Sequence, residues 1–245
     1  MWVVIIVVII AIIILALVIS GLKSSEHEEE EENYGLDDNQ YREYVYKSVP
    51  KDFKPYLQQI LNAVDEIKEM ERRNSSELNQ ASYNAMVEIY NRANEIEEKI
   101  KEYWNSNQFN KDFSYYIGLH YASHLLGNAI KQEQQIIKNS FVKCKNEQKK
   151  WADQIENLKY RQQRTSGKQK SDISQEIGNC CKAHKRISTL AGQIGAVNTQ
   201  YNQRVSQQHM ETAKRRDYIA ANFGERGRRW KERMHQRALI RKGRK

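Results

Sequence analysis

The stretch from Ile173 to Val205, ISQEIGNCCKAHKRISTLAGQIGAVNTQYNQRV, decides the fold. Ile173, Ile177, Cys180, His184, Ile187, Ala191, Ile194, Asn198, Tyr201 and Val205 follow one another in alternating steps of four and three. That spacing holds one stripe on one side of a helix and is the seam of a coiled coil. No proline interrupts it.

A partner arm precedes it. Ile130, Ile137, Cys144, Trp151 and Leu158 recur every seven residues, and Phe141 and Ile155 sit four beyond Ile137 and Trp151. Gln134, Gln148 and Gln162 take the remaining positions of that kind, so the seam is imperfect. Thr165, Ser166, Gly167 and Lys168 form a turn signal between the arms. Folding back there, the arms make an antiparallel hairpin in which Leu158 faces Ile177, Ile155 faces Cys180 and Trp151 faces His184. Further along, Gln148 faces Ile187, Cys144 faces Ala191, Phe141 faces Ile194, Ile137 faces Asn198 and Ile130 faces Val205. Each arm runs about 45–50 residues, roughly 70 Å. The same heptads would pair two parallel chains if the turn stayed helical, and Gly167 argues for the hairpin.

Outward from this hairpin the chain stays helical. Leu57, Ile60, Val64 and Ile67 form one amphipathic stripe starting near Pro55, a residue tolerated in a first turn. Met86, Ile89, Ala93, Ile96, Ile100 and Tyr103 form another, after a cap or turn at Asn74, Ser75 and Ser76. Only 2 prolines in 245 residues, and long stretches free of turn clusters, argue against a sandwich, a barrel or repeated β-α units, which need frequent reversals. Met1 to Ile19 is apolar throughout, and about 28 Å of helix matches a bilayer's hydrocarbon core. A cleaved signal fits poorly, because no Lys or Arg precedes the run and bulky Val18 and Ile19 stand before Ser20 and Gly21. Three cysteines, with Cys180 and Cys181 adjacent, do not form a disulfide framework.

The expected fold is therefore all-α, with a single N-terminal transmembrane helix followed by an elongated helical bundle and antiparallel coiled-coil hairpin. The expected parts are an anchor (1–22), an acidic flexible spacer (23–40), a helical hairpin (41–112), the long coiled-coil hairpin (113–222) and a basic amphipathic tail (223–245). Near-membrane charge is almost balanced. The odd cysteine count and the basic carboxyl end favour N-out and C-in, with the bulk of the chain cytoplasmic.

Charge is segregated. Lys23 to Asp38 carries a net −7, including Glu28 to Glu32, and reads as a self-repelling spacer more than a cation loop, lacking the loop's alternating oxygen ligands and turn glycine. Lys214 to Lys245 carries a net +10, while Tyr41 to Ala213 carries only +6 over a much longer stretch. In the tail, Trp230, Met234, Ala238 and Arg241 fall on one helical face. The expected polyanion-binding residues are Arg226, Arg228, Arg229, Lys231, Arg233, Arg237, Arg241, Lys242, Arg244 and Lys245.

Other candidates reduce to packing. Cys180 and His184 share a helix turn beside Cys181, yet Cys144 is too far along the hairpin to complete a metal site or disulfide. His120 and His124 lie at i, i+4 without the intervening Glu of a zinc protease, on a segment rich in tyrosine (Tyr115, Tyr116, Tyr121). Arg229 and His235 have a spacing that resembles the Arg-to-His motif of small all-helical ribonucleases of the HEPN type, although Trp230 follows the Arg where a small polar residue is usual.

No catalytic residue, cofactor or metal site is expected. The expected function is a non-enzymatic, membrane-tethered helical scaffold or adaptor whose basic end recruits a polyanion: nucleic acid, anionic lipid or acidic protein. It would be a homo-oligomer or a subunit of a larger assembly. The alternatives are a structural helical subunit of a membrane, secretion or surface assembly, and a membrane-bound ribonuclease-like enzyme.

Overall fold

The computed structural model describes residues 38–73 and 78–243, and side chains within 39–73 and 78–240. The expected anchor, nearly all of the acidic spacer, the Asn74–Ser76 cluster, Arg244 and Lys245 lie outside the described residues. The described residues form six helices joined by short connections: α1 (Asp38–Ser48), α2 (Lys54–Arg73), α3 (Gln80–Asn105), α4 (Phe113–Gln163), α5 (Gly167–Asn222) and α6 (Gly224–Gly243). The described chain is all-helical, and among the described residues no helix is long and apolar enough to cross a membrane. The described residues divide into two compact units, one within 49–218 and one made of 38–48 with 219–243.

In the larger unit, the apolar stripes of α2 and α3 turn inward. Leu57, Ile60, Val64 and Ile67 are buried, as are Met86, Ile89, Ala93, Ile96 and Ile100. Helix α3 starts at Asn79, whose side chain accepts from the Ser82 N–H, and α4 starts at Asp112, which accepts from the Tyr115 N–H at 2.8 Å. Each cap satisfies an amide that the first helical turn leaves without an intrahelical partner. An aromatic cluster of Phe53, Tyr103, Phe109 and Tyr115 closes the α3–α4 corner, and the Tyr115 hydroxyl donates to the Tyr103 carbonyl at 2.5 Å.

Helices α4 and α5 run antiparallel. Gln134 bonds Asn202, Gln148 bonds Ser188 and Gln162 bonds Ser174, so the partner number falls as the α4 number rises. Each bond reaches one residue beyond the expected facing position; Gln148, expected to face Ile187, donates to Ser188 instead. The cause is chemical: a seam glutamine turns to the hydroxyl or amide at the edge of the pair. The apolar layers stay central, with Leu158, Ile173 and Cys180 buried together against Trp151, Ile155 and Ile177. Ile130, Ile137, Cys144 and Ile194 are also buried, while Phe141, His184, Ile187 and Val205 are half-buried. Gly167 begins α5 at φ 65, the left-handed conformation glycine adopts without steric cost, and so marks the turn read from sequence.

In the smaller unit α5 ends at Asn222, and Gly224, at φ 55, starts α6. A Cβ on Gly227 would come within 2.3 Å of the Ile219 carbonyl oxygen, so glycine there permits close approach of the two backbones.

Candidate functional site

The chemistry-bearing groups of the larger unit meet where α3, α4 and α5 are mutually buried. Arg215 donates from Nη2 to Glu97 Oε1 at 2.5 Å and from Nη1 to Ser123 Oγ at 2.6 Å. Gln208 Nε2 donates to Glu97 Oε2 at 3.0 Å and to the Ser123 carbonyl at 3.2 Å. Both of those oxygens only accept, which fixes the orientation of the Gln208 amide. Thr212 Oγ1 gives its proton to the Gln208 carbonyl, so Ser123 is the donor in the 3.0 Å Ser123–Thr212 contact.

The side chains of Glu97 and Arg215 are 1% and 6% exposed, so the pair is desolvated and depends on its own geometry. Trp104 lies 5.8 Å from the Arg215 guanidinium carbon. Arg204, donating to the Ala93 carbonyl at 3.4 Å, has its pKa lowered by burial. His120, buried in the same region, is held neutral: burial brings its pKa down to about 3, helped by His124, Arg216 and Arg215. Ser123, fully buried and spending its proton on Thr212, is a structural node and not an activated nucleophile.

A second polar cluster involves Glu71, Glu133 and Tyr201. Both carboxylates are buried, and burial, reinforced by Glu133, pushes the Glu71 pKa up to about 8. Tyr201, fully buried, donates to the Met86 carbonyl at 3.0 Å. On the outer side of Gln208, a cavity of about 190 Å³ is lined by His124, Asn128, Lys131, Gln208, His209 and Thr212, among others. Among the described residues no group of three or more His, Cys, Asp or Glu is placed to hold a metal ion.

The basic residues read from sequence divide in the smaller unit. Arg226, Arg228 and Arg229 are exposed, Lys231 and Arg233 half-buried and Arg237 buried. The side chains of Arg241 and Lys242, like Arg244 and Lys245, lie outside the described set. Helix α6 turns Trp230 and Arg237 inward and leaves Ala238 exposed, where an apolar stripe of Trp230, Met234 and Ala238 was expected. The reason is Tyr41 of α1: its ring lies 4.0 Å from the Arg237 guanidinium carbon and its hydroxyl donates to Met234 Sδ at 3.4 Å. Cation–π stacking makes an arginine acceptable at a buried position. Arg229 is paired with Glu225 on its own helix. His235, six residues on, falls about 120° around the helix from Arg229, so the two do not share a face.

Sequence reading missed Glu97, Ser123, Gln208 and Arg215, although the repeat contains them. Tyr116 and Ser123 continue the seven-residue series of Ile130 upstream, and Gln208 and Arg215 continue the series of Ile187, Ile194 and Tyr201 downstream. Glu97 lies seven from both Tyr90 and Trp104. Polar residues holding seam positions were the available signal. Comparison with family models, curated proteins and solved structures finds no match.

Proposed function

We propose that this protein is a non-enzymatic, membrane-tethered helical scaffold: the apolar run Met1–Ile19 anchors it, the coiled-coil body extends from the anchor, and the C-terminal helix recruits a polyanionic partner. The observation that carries the reading is the anchoring of α6. Tyr41 holds Met234 and Arg237, while Arg226, Arg228 and Arg229 remain outward. A cationic helix fixed in place binds with less ordering cost than a free tail, because its side chains start on one scaffold.

The test compares the full chain with the R226E/R228E/R229E variant for binding to RNA, duplex DNA, anionic vesicles and acidic protein across a salt series. Salt-steep binding of one partner, lost in the variant, supports the reading. Equal binding by both proteins overturns the assignment to α6. Removing residues 1–22 should release the chain from the membrane fraction, and retention without them would defeat the tether.

A further inference from the structure

Between Lys131 and Arg186 there are 14 Lys or Arg and 6 Asp or Glu, and every one of those basic side chains is exposed. The net +8 of this segment rivals that of the carboxyl end. Its arrangement is more informative than its sum. Gln134, Phe141, Gln148 and Gln162, spaced at multiples of seven, touch Asn202, Gly195, Ser188 and Ser174, and these contacts mark one edge of the α4–α5 pair.

Lys131, Lys138, Lys145 and Lys159 each precede one of those α4 residues by three, one turn away on the same edge. Lys145 shows the geometry directly, with Nζ 3.4 Å from Gln148 Oε1 and 5.6 Å from the Phe141 ring centre. One heptad upstream the line begins at His124, which shares a small cavity with Lys131 and with His209 of α5. The rungs are therefore about 10 Å apart along a track of roughly 50 Å, with Ala152 the one gap.

Across the edge α5 presents Asn202, Gly195, Ser188, Cys181 and Ser174, none of them acidic. Glu156 is the one carboxylate beside the line, and the four lysines have no ion-pair partner among the described residues. The opposite edge of the same helices is used for packing: Glu133, Ser140, Leu190, Val197 and Arg204 are buried there.

We infer that this edge, from the His124–Lys131–His209 cavity to Lys159, is a binding track for the phosphodiester backbone of a double-stranded nucleic acid. A row of unpaired ammonium groups at fixed spacing matches a polymer of fixed negative charge, and small hydroxyl and amide side chains beside it can donate to phosphate oxygens. The track suits backbone more than base. It offers no row of exposed aromatic rings on which single-stranded bases could stack. A lipid surface is the poorer match, since the exposed large apolar side chains of this segment are the isolated Val142 and Tyr160, and Arg164 lies over the Tyr160 ring. This track shares no residue with α6, so the two readings stand or fall independently.

The test uses the full chain in detergent micelles with labelled duplex RNA and duplex DNA of roughly 20 base pairs, from about 50 to 300 mM salt. The K138Q/K145Q/K159Q variant should bind at least about tenfold more weakly at moderate salt, and its log–log salt slope should fall by about 2–3, near 0.9 for each lost phosphate contact. Unchanged circular dichroism would show that the helices remain. The inference is overturned if wild type binds neither duplex, if the triple variant keeps the wild-type affinity and slope, or if wild type binds phosphatidylserine vesicles in preference to duplex. Loss only in R226E/R228E/R229E would also overturn it, and would leave the α6 reading standing.

Discussion

From Tyr115 to Ser123 nine consecutive residues of α4 are buried; from Lys145 to Gln163 only Leu158 is. The seven-residue rhythm is the same in both stretches, yet it yields different interiors. In the first, α4 is enclosed on several sides, and seam positions hold Ser123, Gln208 and Arg215 tied to Glu97. In the second, two helices cover each other, the seam alternates apolar layers with Gln148 and Gln162, and lysines point to water. Enclosure lets polar groups pair with one another out of water, whereas a two-helix seam leaves each layer half wet and gives its outer faces to charge. The comparison teaches that the larger unit keeps its buried ion pair where α4 is enclosed and its exposed lysines where two helices cover each other alone.

The largest effect should come from the enclosed end. Glu97→Gln leaves Arg215 buried without its carboxylate, and removing one partner of such a pair costs about 3–5 kcal/mol. Replacing both together, as E97L/R215M, should recover most of that loss, because the isolated charge is gone. Denaturant unfolding of the full chain reads both. If the double variant is no more stable than E97Q, then shape and hydrogen bonding, not the orphaned charge, hold this layer together.

Next come two titrations of opposite sign. Glu71 has a folded pKa raised to about 8 from an ordinary 4.5, so its contribution is complete below the ordinary value and is lost as pH climbs toward 8. His120 has a folded pKa lowered to about 3 from 6.5, so its contribution is intact above 6.5 and is lost as pH falls toward 3. Glu71→Gln should flatten the alkaline side of the stability curve by a few kcal/mol, and His120→Gln should flatten the acid side. Unfolding midpoints between about pH 4 and 9 check both, and a Glu71→Gln protein as alkali-sensitive as wild type would remove the burial argument for that carboxyl.

Much of this organisation was legible in the sequence, and the limit was physical. Apolar period located α2, α3, the turn at Gly167 and the antiparallel arms, because burial of Leu57, Ile96, Ile137 or Ile194 needs nothing but hydrophobicity at the right spacing. The site was hidden because an apolar criterion stops at the first polar residue. Ser123 and Gln208 keep the rhythm but break the hydropathy, and only the proximity of Glu97 on a third helix makes them suitable for burial. The inward turn of Arg237 was unreadable for a similar reason: it needs Tyr41, far away in sequence.

At the thin end, Leu158→Ala should cost about 2 kcal/mol, the low end for a buried leucine, because Trp151 and Ile155 are already half-exposed and can settle into the gap. The loss should be local. Protease cleavage near Thr165–Lys168 should quicken, while amide exchange around Tyr115–Ser123 stays slow. Equal loosening of both ends would show that the helices unfold as one unit and would break the contrast between them.

The smallest effect is expected from the lysines of the thin end, and its smallness is the point. Lys138 and Lys159 have no ion-pair partner among the described residues, so replacing both with Gln removes charge without breaking an ion pair. Surface substitutions of this kind stay within about 0.5 kcal/mol, and relief of repulsion within a segment of net +8 should tip the sign toward stability. A thermal midpoint that holds or rises would mean that the fold gains nothing from these charges, so that their place along one edge answers to what binds there. A loss of stability of more than about 1 kcal/mol, seen as a midpoint lowered by several degrees, would mean that the ammonium groups support the seam itself, and the edge would then be structure before surface.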